Sequence, residues 1–193
     1  MLQLQWPGSS SDKRVLLHAC CAPCSSAILE CMLQNGITPV VYYFNPNIYP
    51  LEEYNIRKEE SKRQNDALGV EWIDGDYDHE AWLCNARGLE SEPERGSRCL
   101  KCFQMRLLAT AQLAVARGIP FFTTTLASSR WKDIKQIEAA ALYAQSQVND
   151  QTLFWTQNWR KGGLSERRVQ LLKEGAFYNQ LYCGCEFSMR KSE

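Results

Sequence analysis

Several things this chain lacks narrow what it can be. Apolar residues never run on for the roughly 18 positions that a membrane-spanning helix needs, so no membrane partner is expected. Residues 1–13 hold a Pro-Gly-Ser-Ser-Ser run and no apolar stretch of the secretory type. They read as a disordered lead-in to a single domain over residues 14–193, a catalytic unit placed in the cytoplasm. An excess of charge of one sign is missing too. Lys and Arg number 22 against 22 Asp and Glu, so the chain as a whole is not built to coat nucleic acid, and any such contact must be local. The phosphate loops of nucleotide enzymes are also absent: there is no GxGxxG, no GxxxxGKS/T and no Ser-Gly-Gly loop.

What remains is organised as alternating strands and helices. Val15–Leu17, closing on His18, is a short apolar run that leads through a Cys/Pro loop into a helix over 25–34. Thr38–Phe44 and Val70–Ile73 read as strands, with a long charged helix over 51–68 between them and a helix over 78–86 capped by Asp78 after them. A loop with Gly88, Pro93 and Gly96 precedes a helix over 99–117, a buried strand over 119–125, a helix over 131–147 and a last strand at 153–155. This pattern predicts a Rossmann-like (HUP-like) α/β fold, with a mainly parallel sheet and helices on both faces.

Against these absences stand nine cysteines, many for a reducing compartment, where clustered thiols bind metal or do redox work more often than they form structural disulfides. The first strand runs directly into His18-Ala19-Cys20-Cys21-Ala22-Pro23-Cys24, at the sheet edge where such folds bind ligands. Cys99 and Cys102 form a CxxC at a helix start, where residues three apart share a face and the helix dipole favours thiolate. The predicted site is therefore a cysteine-rich metal centre at the C-terminal edge of the sheet. Four thiolates suit either tetrahedral zinc or an iron–sulfur cluster. Adjacent Cys20 and Cys21 favour the cluster, whose corners are spread in space. Cys183-Gly184-Cys185 is a candidate redox pair, with a second metal half-site or two inert thiols as the alternatives.

The other candidates are weaker. Cys31 and Cys84, each beside apolar neighbours, read as small buried hydrophobes. His18 is a candidate for orienting the thiols, and His79 reads as a surface residue. Tyr43, Asn45, Asn47, Tyr54 and Arg57 follow or close the second strand and could hold an unstacked base. Arg160 and Lys161 open a basic stretch with Arg167, Arg168 and Lys173, which a solvated helix face explains equally well.

Five blocks together resemble the cobalamin-independent epoxyqueuosine reductases of the QueH family: LLHACCAPCS at 16–25, YYFNPNIYPLEEYNIRK at 42–58, SRCLKCFQMRL at 97–107, FTTTLASSRWKDIKQI at 122–137 and YNQLYCGCEFS at 178–188. The resemblance implies reduction of epoxyqueuosine to queuosine at the wobble position of tRNAs with GUN anticodons, those for Tyr, His, Asp and Asn. It implies a [4Fe-4S] cluster on Cys20, Cys21, Cys99 and Cys102, a redox-active Cys183/Cys185 pair and a separate electron donor. A second metal ion, iron or zinc, occurs beside the cluster in some members, and Cys24 is the candidate ligand for it here. Tyr43, Asp76, Asp78 and Glu186 stand open as proton donors. The rival readings are a zinc-stabilised RNA-binding protein without redox chemistry and a PP-loop-like ATP-dependent enzyme.

Overall fold

A computed structural model describes residues 2–9 and 11–189; positions 1, 10 and 190–193, and with them both ends of the expected segments, lie outside the described residues. Five parallel strands form one sheet in the order β3-β2-β1-β4-β5. They are β1 (Arg14–His18), β2 (Thr38–Tyr43), β3 (Glu71–Asp74), β4 (Phe121–Thr124) and β5 (Leu153–Phe154). The helices are α1 (Ala22–Gln34), α2 (Leu51–Leu68), α3 (His79–Ala86), α4 (Ser97–Ala116), α5 (Ile134–Gln147) and α6 (Leu164–Glu174).

Side chains alternate across a strand, and β1 shows what this does to the core. Val15 and Leu17 point to the face covered by Ile28 and Met32 of α1, while Leu16 points to the face covered by Leu107 of α4 and Ala140 of α5. Both faces are thus sealed, as a purely parallel sheet requires.

Two boundaries differ from the sequence reading for local reasons. Helix α1 starts at Ala22 and not at Ser25, because Pro23 falls in the first turn, where its missing N–H costs nothing. Helix α5 starts at Ile134 and not at Trp131, because the Asp133 carboxylate accepts from the Lys135 N–H and caps it there. Asp78 does cap α3, through the Ala81 N–H at 2.8 Å.

Part of the lead-in lies against the domain. Leu2, Leu4 and Trp6 pack against the core, and the Trp6 indole lies edge-on to Phe121 and Trp155, with ring centroids 5.1 and 5.4 Å away. The Leu4 N–H also reaches Asn35 Oδ1 at 3.0 Å. Three apolar side chains beside the Pro-Gly-Ser run outweigh its loop character. No helix among the described residues is long and apolar enough to cross a membrane.

Candidate metal centre and active site

Strand order reverses between β1 and β4, and the carboxyl ends of strands at such a switch point are where folds of this kind bind ligands. Cys20 leaves β1 at this point. Thr125, immediately after β4, accepts the Cys20 N–H at 3.1 Å and donates its hydroxyl to Cys20 Sγ at 3.3 Å. Cys21 and Cys24 complete a group whose three sulfurs all lie within 4.8 Å of one another. Hydrogen bonds from Cys21 and Cys24 hold Cys20 well below the ordinary thiol range, and the same contacts push Cys21 well above it and Cys24 up to about 11. The loop is therefore built to carry at least one negative charge.

Cys99 and Cys102 lie at the start of α4, as the CxxC spacing predicts. They are not part of the compact triad. Burial raises the Cys99 thiol, which also senses Cys183 and Cys102, and Cys102 shares a small apolar cluster with Cys185. The two motifs are coupled through Arg106, one turn beyond Cys102 and 3% exposed. Its Nη1 lies 3.9 Å from Cys102 Sγ, its Nη2 donates to Asn45 Oδ1 and its Nε approaches His18 Nε2 at 3.3 Å. Asn45 in turn donates to the Ala19 carbonyl at 2.9 Å, just before Cys20. Burial and the neighbouring guanidinium drive His18 down to about 3, so it is neutral; it meets Thr124 Oγ1 at 2.8 Å.

The tail crosses the same edge. Gln180 donates to Cys21 Sγ at 3.1 Å, and the Tyr49 N–H donates to the Gly184 carbonyl at 2.9 Å. Arg57, 2% exposed and paired with Glu53 at 2.7 Å, donates to the Tyr182 and Cys183 carbonyls. Cys183 is exposed and Cys185 buried, with burial raising the Cys185 thiol to about 11. Lys132 also faces this region. Burial opposes its charge, but the thiols of Cys183, Cys20 and Cys24 outweigh that and raise its pKa.

His79 is not a surface residue. It lies in a run of rings with Tyr49, Tyr77 and Trp82, and its Nδ1 is 2.8 Å from the Pro46 carbonyl. A carbonyl only accepts, so Nδ1 carries a proton. The 2.9 Å contact between Nε2 and Glu186 Oε2 then requires a proton from one partner or the other. This His79–Glu186 contact lies one residue from Cys185.

Several expected substrate residues are internal. Tyr43 and Tyr54 are buried, their hydroxyls donating to the Tyr54 and Gly75 carbonyls, and burial raises both phenols. Asn45 is spent on Ala19 and Arg106, Asn47 is buried, and Arg57 braces the tail. An aromatic strand end has the same sequence whether its rings face core or solvent. Arg160 donates to the Ser129 and Lys132 carbonyls and so braces the loop after β4; Lys161 is exposed. Cys84 is exposed, contrary to its apolar neighbours, whereas Cys31 is buried. Arg106, Thr125 and the His79–Glu186 pair escaped the sequence reading. Only Arg106 left a signal there, its one-turn spacing from Cys102.

The model of the family described as epoxyqueuosine reductase QueH matches residues 15–191. Proteins named epoxyqueuosine reductase QueH are similar to this chain: one from Histophilus somni (48% identical over 92% of this chain and 72% of that protein), one from Haemophilus influenzae (47%, 93% and 73%) and one from Acinetobacter baylyi (42%, 98% and 85%). Among solved structures, the U34-tRNA thiolase NcsA from Methanococcus maripaludis with its [4Fe-4S] cluster shares the fold, with a TM-score of 0.57 at 8% identity over 94% of this chain and 63% of that one. The match to the family model runs through every thiol at the sheet edge, and on it the chain belongs to the epoxyqueuosine reductase QueH family.

Proposed function

We propose that this chain is an oxidoreductase that reduces the epoxide of epoxyqueuosine in tRNA to the cyclopentene of queuosine without cobalamin. The observation that carries this reading is the convergence of seven of the nine cysteines, from three distant segments, on one edge of a parallel sheet. The substrate would be the wobble position of tRNAs for Tyr, His, Asp and Asn, in the cytoplasm, with a separate protein or small-molecule electron donor.

The donor set fits an iron–sulfur group. Its sulfurs come from a CysCys loop and a CxxC helix start, with a buried guanidinium between them to balance negative charge. Cys20, Cys21, Cys99 and Cys102 would hold a [4Fe-4S] cluster, and Cys24 would be the ligand of any second ion. A cluster held there supplies electrons one at a time.

The overall change is epoxide plus two electrons and two protons to alkene plus water. Cys183 and Cys185 would relay the electron pair, passing from dithiol to disulfide and being returned by the external donor. The His79–Glu186 pair, one residue from Cys185, would be the proton source for the departing oxygen. Of the four proton donors left open by the sequence, Glu186 is therefore favoured. Tyr43 is buried and Asp78 caps α3.

Anaerobic purification with iron, sulfide and zinc counted per chain, followed by nucleoside analysis of epoxyqueuosine-containing tRNA, tests this reading. About four irons with matching sulfide and conversion to queuosine are expected. One zinc without sulfide would transfer the reading to a zinc-stabilised RNA-binding protein.

A further inference from the structure

Large apolar side chains exposed beside a site call for an occupant. Trp131 is 63% exposed, the most exposed tryptophan or tyrosine among the large hydrophobic side chains of the described residues. It stands in the loop after β4, on the same edge as the thiols. Arg95 joins the two: its N–H donates to Cys99 Sγ at 3.3 Å and its Nε to the Trp131 carbonyl at 2.8 Å. Gln136 holds Arg95 in place by donating to the Arg95 and Gly96 carbonyls at 2.9 and 3.1 Å. The next residue, Lys132, lies in the field of Cys20, Cys24 and Cys183. The indole is thus fixed by its backbone at the rim of the thiol centre while its ring is largely exposed.

The surroundings are cationic. The Arg130 guanidinium lies over the indole, 4.8 Å from its centroid, and Arg160 stands close by, its charge disfavoured by burial and then by Arg95. An exposed indole among guanidinium groups is unsuited to a bare apolar partner. It suits a polyanion whose units carry flat rings, which is single-stranded RNA.

We infer that Trp131, with Arg130 and Arg95, forms a stacking platform for an unpaired base of the RNA that flanks the reacting nucleoside. This rests on the proposed function and adds to it a positioning residue that touches the substrate away from the reacting atoms. Stacking on one face leaves the neighbouring nucleotide to turn toward the thiols, so the platform sets affinity and register while the chemistry proceeds elsewhere.

The test is the affinity of full-length, anaerobically purified protein for a fluorescently labelled anticodon stem–loop with a GUN anticodon, by anisotropy. Trp131→Ala is expected to weaken binding roughly tenfold or more. Trp131→Phe should restore most of it, and Leu142→Ala, which removes another exposed apolar side chain, from α5, should bind as wild type. Indole emission should be quenched by the RNA in wild type and less so in Trp131→Phe. Equal affinity of wild type and Trp131→Ala, at equal metal content, would overturn the platform. If wild-type protein holds no iron and does not bind the stem–loop, the proposed function itself fails.

Discussion

Arg106 shows how one side chain serves two motifs. A buried guanidinium is costly unless anions or acceptors surround it, and the acceptors here are His18, Asn45 and the Cys102 sulfur, with no carboxylate paired to it among the described residues. The missing negative charge is what a thiolate-bound cluster would bring. Arg106→Gln keeps a donor of lesser reach and removes the charge, while Arg106→Lys keeps the charge and loses the fork. Loss of such an outer partner typically weakens metal binding about 10- to 100-fold. Iron retention against a chelator is therefore expected to fall in the order wild type, Arg106→Lys, Arg106→Gln. Identical retention in all three would show that Arg106 only fills space.

At the scale of elements, the tail over 178–188 is a strap without regular hydrogen-bonded structure of its own until a short 3-10 turn at Glu186–Ser188. It is fastened by Glu53, Arg57 and the loop after β2. Gly184 is the tightest fastening. Its φ is +134°, and a Cβ there would lie 3.1 Å from Asn47 Nδ2 and 3.2 Å from Ile48 Cγ1. Gly184→Ala should cost about 1–3 kcal/mol locally. In wild type, iodoacetamide should modify exposed Cys183 well before buried Cys185; in Gly184→Ala the two rates should converge, as read by peptide mass. Unchanged protection of Cys185 would place its burial under the control of α3 and α4 alone. The elements themselves were largely legible in the sequence. Alternating β-branched runs and helix-stopping glycines mark them, such as Gly69 at φ +63° after α2. The three cysteine motifs were legible because their spacing is local. The contacts between them were not: Arg106 finds His18 across 88 positions and Glu186 finds His79 across 107. Such pairs exist only once the sheet order brings loops together. The exposure of Trp131 is hidden for a related reason: helical composition extends to it, while the Asp133 cap starts the helix only at Ile134.

The whole molecule carries no net charge, yet its proposed substrate is one of the most densely charged molecules in a cell. Basic residues at the thiol edge resolve this locally. Arg95, Arg130, Lys132 and Lys161 all lie near the loop after β4 or the entry to α6, whereas Arg167 in α6 is paired with Glu30 at 2.7 Å and with Glu174. A long basic face along α6 is therefore partly neutralised and does not extend the footprint. If all four edge cations met phosphates of an unpaired loop, the slope of log affinity against log salt would be about −3, at roughly −0.7 per contact. Binding measured across a salt series should give a slope no steeper than that, and an isolated anticodon stem–loop should bind nearly as well as the whole tRNA. A slope twice as steep, together with much tighter binding of the whole tRNA, would mean that the acceptor or elbow region is also held. The cationic surface would then have to extend well beyond the sheet edge.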